Sequence, residues 1–192
     1  MKRLLIVIAA ALSLVSCGGG FTSAEREVIY AGEGDIMRVL SIDNKADSLT
    51  LRRESLPVEE AMVQSEEFLH LCNRMLATVQ NPDNEGVGIA APQVGILRRI
   101  VAVQRFDKEG HPFEFFLNPE IVEYEGQTLL GSEGCLSVPD ISDDVERWQR
   151  IRLRYRDEAF AEREEVIEGF TAVIFQHEID HLDGVLFIDY IK

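Results

Sequence analysis

The sequence predicts an α+β domain over residues 36–192, in which strands surround one helix near the start and a second near the end. Ile151, Leu153 and Tyr155 alternate with arginines, which is typical of a strand with one solvated face. Apolar residues recur at helical spacing from Val58 to Val79, and a second helical pattern begins at Phe170. With 192 residues and 46% hydrophobic content, the chain is large enough for one core.

The elements follow in chain order. Loose alternation over 36–42 predicts a first strand. Ser55 and Pro57 offer a cap and a helix start for 58–79, and Cys72 falls on the apolar stripe of that helix, which indicates a buried small hydrophobe. Further strands are predicted at 99–103, 113–117, 121–124 and 151–155.

The first residues form a separate segment. Lys2 and Arg3 precede an apolar run over 4–12, the layout of an export signal that is too short to span a membrane as a helix. The stretch Leu14-Val15-Ser16-Cys17 resembles the lipobox of bacterial lipoproteins. That resemblance implies a signal peptide over 1–16, acylation of Cys17, a lipidated tether over 17–35 and a location in the cell envelope. An ordinary secretory signal or a misassigned start codon are alternatives, and an unused signal would leave the protein in the cytoplasm.

The balance of acidic and basic residues indicates which class of partner is disfavoured. Nineteen basic residues against 34 acidic ones give a net charge of -15. Nucleic-acid binding needs clustered Lys and Arg against phosphate, so this balance argues against a nucleic-acid partner.

The polar run 176–184, QHEIDHLDG, lies between two apolar stretches. In a helix, His177 and His181 lie about 40° apart on one face, and Glu178 lies about 100° further round. Two imidazoles and a carboxylate in this arrangement indicate a metal site, although pairs of His at this spacing also occur by chance. Phe170 and Val173 continue the same stripe, and we therefore expect this face to be buried.

A third metal ligand must lie upstream of the two histidines. Catalytic metal sites of this kind usually have three protein ligands, and residues 182–192 contain no His, Glu or Cys. Cys135 is the best candidate, since the glycines of Gly131-Ser132-Glu133-Gly134-Cys135 permit a sharp backbone path. The alternative is a buried free cysteine.

A third stretch, GVGIAAPQVG at 86–95, has the small residues that let another backbone approach closely, without the spacing of a phosphate-binding loop. Together, GVGIAAPQ, EGCLS and QHEIDH resemble the three motifs of the peptide deformylase family, in the family's order. FLNPEI at 116–121 and HLDGVLF at 181–187 are also similar to that family. The resemblance implies a deformylase-like α+β fold in which antiparallel sheets pack around the C-terminal HExDH helix.

The resemblance also implies residue roles. Cys135, His177 and His181 would bind one divalent metal ion, Fe2+ in the family, with Zn2+ or Ni2+ as alternatives. Glu178 would be the general acid/base, and Gln93 with the backbone N–H of Leu136 would stabilise the oxyanion. Two groups of residues would contact substrate: Val87 and Gly88 would pair with its backbone, and Val87, Phe170 and Val173 would line the pocket for its first side chain.

The implied activity is metal-dependent hydrolysis of the formyl group of N-formyl-methionyl peptides, with release of formate, by a monomer. One departure from the family pattern is the acidic stretch 140–144, where many members carry a basic residue. Three alternatives remain open: an exported, non-catalytic formyl-peptide-binding protein, an amidase with a different N-acyl substrate, and an HExxH endopeptidase.

Overall fold

The computed structural model describes residues 19–32, 34–84 and 86–191. The predicted signal peptide and Cys17 lie outside the described residues. The α+β class is confirmed, with the following helices and strands: α1 Ser23–Ile29, α2 Lys45–Leu51, α3 Glu60–Val63, α4 Glu66–Val79, β1 Gly88–Ala90, β2 Ile100–Gln104, β3 Phe113–Cys135, β4 Val138–Arg156, β5 Glu162–Glu168 and α5 Gly169–Leu182. Short 3-10 helices occupy Ala91–Val94 and Phe187–Asp189.

The described strands form one antiparallel sheet in the order β1-β2-β3-β4-β5. Residues 113–117 and 121–124, predicted as separate strands, belong to the single long strand β3, which bends at register shifts along its pairing with β4. Each shift leaves an unpaired residue and increases the local twist, so the strand changes direction without ending. Alternation of apolar and polar residues does not show that two such segments belong to one continuous strand.

Helix α5 packs against one face of this sheet. Its apolar residues Ile174, Phe175 and Leu182 are buried in a cluster with residues of β2, β3 and β4. The rings of Phe175 and Phe116 meet edge to face at 4.7 Å between centroids. Burial of a side chain of this size contributes about 1.5–3 kcal/mol, so the packing fixes the position of every polar residue on the helix.

The turn after α5 requires a glycine. Gly184 has φ +73°, and a Cβ there would lie 2.6 Å from the carbonyl oxygen of Arg52. Any other residue would be strained and would push this backbone contact apart.

The predicted helix over 58–79 is divided in two. Ser65 accepts a hydrogen bond from the Phe68 N–H at 3.2 Å and donates to the Met62 carbonyl at 2.6 Å, so it caps α4 and ends α3. Cys72 is buried on α4, as predicted.

Two predictions for the start of the chain are wrong. Residues 36–42 form no strand; they lie beside α4 and the 3-10 helix, where the Met37 N–H donates to Thr78 and the Leu40 N–H to the Gln93 carbonyl. Residues 21–31 are not a flexible tether, because they contain helix α1, whose Ile29 is fully buried. Alternation predicts an extended backbone but not whether a sheet partner is available.

Helix α1 is held by local and tertiary contacts. Thr22 and Glu25 form a reciprocal capping box, with hydrogen bonds of 3.2 and 2.7 Å. Glu25 also pairs with Arg98 at 2.6 Å. The packed unit therefore begins near Phe21, upstream of the boundary predicted at 36. None of the helices in the described part of the chain is long and apolar enough to cross a membrane.

Candidate active site

Helix α5 and the end of β3 bring three potential metal ligands together. Cys135 is the last residue of β3, and His177 and His181 lie one turn apart on α5. Their donor atoms all fall within 4.8 Å of one another, and Cys135 Sγ lies 3.2 Å from His181 Nε2. In the sequence Cys135 lies more than forty positions before the two histidines, and the packing of α5 on the sheet brings it next to them.

The donor set fits a divalent transition metal. One thiolate and two imidazoles suit Zn2+ or Fe2+, and a ligand histidine commonly donates its other N–H to a carboxylate. His177 makes such a contact, since its Nδ1 lies 2.8 Å from Glu133. His181 is 1% exposed, and burial lowers its pKa well below the ordinary value. A neutral imidazole is the form that binds a metal.

Glu133 is held in turn by a buried arginine. Arg147 on β4 contacts both Glu133 oxygens, at 2.7 and 3.1 Å, and also Asp180 of α5 at 2.7 Å. Burial alone would raise the pKa of Glu133, but the hydrogen bonds from His177 and Arg147 outweigh it and lower the pKa. Glu133 therefore stays ionised and fixes the orientation of the His177 ring.

Glu178 lies at the base of the site with an unused carboxylate oxygen. The residue is 4% exposed, and Oε2 has no hydrogen-bond partner among the described residues. Burial raises the pKa of Glu178 to about 7. A Cβ on Gly88 would collide with this carboxylate, so the glycine makes room for it. A carboxyl group with a pKa near neutrality is suited to both accepting and returning a proton.

The side chain of Gln93 is fixed at one end and points its amide at the site. Its Oε1 accepts from the Ala90 N–H at 2.9 Å. Its Nε2 therefore faces Cys135 Sγ and Ser137 Oγ, at 3.5 and 3.4 Å. Gln93 is 2% exposed, so this donor is preorganised in a dry environment, as a group that stabilises a developing negative charge should be.

A cavity of about 650 Å³ opens onto these residues. It is lined by all but one of the residues predicted for catalysis, metal binding and substrate contact; the lining includes Val87, Gly88, Gln93, Cys135, Leu136, Phe170, Val173, His177 and Glu178. His181 lies behind this wall and contacts the thiol of Cys135.

The expectation that Phe170 is buried is wrong. Its side chain is 54% exposed at the mouth of the cavity, where its ring lies 5.3 Å from that of Phe106. Phe170, Val173 and His177 of this stripe all line the cavity. Helical periodicity therefore grouped Phe170 with Val173 correctly but could not show that this face borders a cavity.

Four further residues were not assigned a role from the sequence: Glu133, Ser137, Arg147 and Asp180. Glu133 had a usable signal, since residues two apart on a strand share a face and Cys135 was already a candidate. Arg147 had none, because its pairing with Glu133 depends on how β3 and β4 align.

Comparisons with known proteins agree with this geometry. The family model for polypeptide deformylase matches residues 36–192. Peptide deformylase from Leptospira biflexa is 40% identical over 82% of this chain and 88% of its own length. The protein of that name from Salinibacter ruber is 42% identical over 74% of this chain and 75% of its own length.

Solved structures are similar over the same region. A Met-Ala-Ser-bound class I type b peptide deformylase from Acinetobacter baumannii matches with a TM-score of 0.72 and 35% identity, covering 81% of this chain and 98% of that one. Peptide deformylase from Thermotoga maritima matches with a TM-score of 0.71 and 36% identity, covering 82% and 98%. The sequence motifs, the fold and the site thus agree, and the chain belongs to the polypeptide deformylase family.

Proposed function

We propose that this chain is a metal-dependent peptide deformylase that hydrolyses the N-formyl group of N-formyl-methionyl peptides and releases formate. The observation that carries the proposal is the cluster of Cys135, His177 and His181 beside the buried, unpartnered Oε2 of Glu178. Cys135, His177 and Glu178 line one cavity. The family match and the relatives named peptide deformylase support the same activity.

The metal ligands are Cys135, His177 and His181. A divalent ion held there would supply Lewis acidity toward the formyl carbonyl and toward water at neutral pH. Glu178 takes the proton of the attacking water and returns it to the departing amine, a task that suits its pKa of about 7. The Gln93 amide and the Leu136 N–H stabilise the negative charge that develops on the carbonyl oxygen, where loss of one donor typically costs about 3 kcal/mol.

The remaining lining residues position the peptide. The backbone of Val87 and Gly88 continues the edge of the sheet at β1, where an extended peptide adds a strand. Val87, Phe170 and Val173 surround the first side chain, methionine. The similar deformylase from Acinetobacter baumannii is bound to Met-Ala-Ser, a peptide whose first residue is methionine, which supports the assignment.

A charge-neutral substitution tests the mechanism. We expect Glu178→Gln to lower kcat by about 10²–10⁴-fold, because the proton transfer is lost, while metal content stays equal to that of the parent. Formate release from formyl-Met-Ala-Ser and metal analysis of the purified protein measure the two effects, with Glu165→Gln as a control outside the cavity. Full activity in Glu178→Gln would contradict the mechanism. A metal-loaded parent that binds the peptide and never releases formate would favour the non-catalytic binding protein.

The loss of metal from Cys135→Ser separates this mechanism from that of an HExxH endopeptidase, whose third ligand lies downstream of the helix. Hydrolysis of acetyl but not formyl peptides would favour an amidase with another N-acyl substrate.

The N-terminal motif supports a proposal for where in the cell the protein is located. The lipobox-like stretch ending at Cys17 supports export, acylation of that thiol and a lipid anchor in the cell envelope. Outside a reducing cytoplasm a thiolate-bound Fe2+ site is exposed to oxidation, so Zn2+ is the metal proposed. A mass spectrum of the mature N-terminus and metal analysis of the native protein test both points. An unprocessed Met1 would exclude the anchor and favour a cytoplasmic enzyme.

A further inference from the structure

A second, smaller cavity adjoins the wall of the active-site cavity. It has a volume of about 210 Å³ and is lined by residues of β3, β4 and the N-terminal part of α5. Ser132, Phe170 and Val173 line both cavities. In the proposed function, Phe170 and Val173 surround the first side chain of the peptide. The second cavity is therefore next to the pocket for that side chain.

The second cavity offers a largely apolar surface to a ligand. Its apolar lining residues are Leu129, Leu130, Val145, Phe170 and Val173. The two long polar side chains of the lining already have partners: Arg147 contacts Glu133 and Asp180, and the Gln149 amide donates to the Arg147 carbonyl oxygen at 3.2 Å. An apolar cavity of roughly 150 Å³ binds benzene, so this cavity is large enough for an aromatic ring.

Gly131, another lining residue, leaves part of the second cavity unfilled. It pairs with Val145 on β4, and the side chains of directly paired strand residues lie on the same face. Glu133, two positions further on, shares this face and contacts His177 of α5, so a side chain at position 131 would point toward α5. Apart from its chain neighbours, a Cβ there would have no atom of the described residues within 4 Å. The glycine therefore leaves open space between β3 and α5.

We propose that the pocket for the first side chain of the substrate continues into the second cavity, so that the enzyme accepts formyl peptides that begin with phenylalanine as well as those that begin with methionine. The inference rests on the proposed deformylase function and specifies its substrate class. A ring that passes Val173 enters the space beside Gly131, where the apolar lining removes it from water. Phe170 is 54% exposed, and a substrate ring in this space would pack against it and cover part of it.

Two peptides that differ only in their first residue test the breadth of the pocket: formyl-Met-Ala-Ser and formyl-Phe-Ala-Ser. A mismatch of a single methylene in a closed apolar pocket changes kcat/KM by about 10–200-fold, and a phenyl ring differs from the methionine side chain by more than that. If the pocket is open to the second cavity, we expect kcat/KM for the two peptides to differ by less than about tenfold. A larger preference for the methionine peptide overturns the proposal.

Substitutions of Gly131 localise the effect. Gly131 lies in a strand without a positive φ, so the backbone accepts a side chain there. We expect Gly131→Leu to fill the space and lower the ratio of kcat/KM for the phenylalanine peptide to that for the methionine peptide by about 10–100-fold, with Gly131→Ala between this variant and the parent. Both peptides are assayed on one preparation, so partial unfolding does not alter the ratio.

Val166→Leu is the control, because it adds apolar volume on β5, outside both cavities. Its ratio should stay within about twofold of the parent. An unchanged ratio in Gly131→Leu, or an equal fall in Val166→Leu, overturns the role assigned to the space beside Gly131.

Calorimetric titration separates this inference from the proposed function. Both peptides are titrated into metal-loaded Glu178→Gln, which removes turnover and keeps both cavities, and into the double variant that also carries Gly131→Leu. Selective weakening of the phenylalanine peptide in the double variant supports the extended pocket even if the parent releases no formate. Equal changes in the two dissociation constants refute it even if the parent is a fully active deformylase.

Discussion

Two buried arginines organise opposite parts of the sheet, and only one of them contacts the site. Arg147 joins Glu133 and Asp180 next to the proposed metal ligands. Arg105, at the end of β2, contacts Asp107, Glu114 and Glu165. Their side chains are 6% and 2% exposed, and their carboxylate partners raise the pKa of both guanidinium groups against the opposing effect of burial.

The two arginine networks differ in the further hydrogen bond that one glutamate of each accepts. Glu133 accepts from His177, a proposed metal ligand, whereas Glu165 accepts from the hydroxyl of Tyr155, which lies in the core. A buried arginine with several acids is therefore no sign of function by itself. The connection to a reactive side chain distinguishes the network that positions His177 from the network that holds strands together.

Removal of each arginine should have the largest effects. Arg147→Met leaves Glu133 almost fully buried without its cation, and we expect the free energy of unfolding to fall by about 3–5 kcal/mol and metal affinity by about 10–100-fold. Arg105→Met should lower stability by about 2–3 kcal/mol, since its partners are partly exposed, with metal affinity unchanged. Urea denaturation and competition with a chelator measure the two quantities. Equal metal affinities in the two variants would contradict the division of roles.

Substitution of one carboxylate sharpens the comparison. Glu133→Gln keeps the shape but weakens the acceptor for His177 Nδ1, and we expect metal affinity to fall about tenfold or more. Glu165→Gln is the matched change in the other network and should leave metal affinity and kcat/KM within about twofold. A loss of metal affinity in Glu165→Gln would show that the two networks are coupled through the sheet.

Acidification should weaken both networks. Glu133 and Glu165 both have lowered pKa values in the folded protein, because their hydrogen bonds outweigh the opposing effect of burial. Their stabilisation is present above the unfolded-state pKa of about 4.3 and is lost as the pH falls through the folded value. Urea denaturation of metal-free protein at a series of pH values should therefore show a smaller decline in stability below about pH 4.3 in either glutamine variant than in the parent. If stability declined with pH as steeply in a glutamine variant as in the parent, the substituted glutamate would not be the cause of the decline.

The smallest effect is expected at Tyr190. Its hydroxyl donates to Asp180 at 3.2 Å, while its ring stacks on the Arg147 guanidinium at 4.7 Å. Tyr190→Phe removes only the hydrogen bond of a residue that is 48% exposed, so the expected loss is about 0.5 kcal/mol. Tyr155→Phe should cost about 1–2 kcal/mol, since Tyr155 is buried and its partner is charged. Thermal denaturation of both variants tests this order.

The sequence predicted the candidate site residues better than the residues that hold them in place. Cys135, His177, His181 and Glu178 follow from residue chemistry and from three short motifs, each of which is local. Arg147 could not be found in this way, because its partners lie on another strand and on α5, and their meeting depends on the bends of β3. Helix α1 did carry a local signal, the capping box of Thr22 and Glu25, whereas its packing through Arg98 and Arg74 depends on distant elements.

The two edges of the sheet have opposite characters. The outer strand β5, EREEVIE, carries charges on most of its residues, which discourages other chains from pairing with it and protects the protein from edge-to-edge aggregation. The opposite edge, β1, is Gly-Ile-Ala and carries no charge. Main-chain hydrogen bonds at the edge of a sheet depend on the direction and extension of the bound peptide but not on its side chains. A substrate that docks there would be held through its backbone, so any preference among the residues after the first has to come from side chains around the cavity.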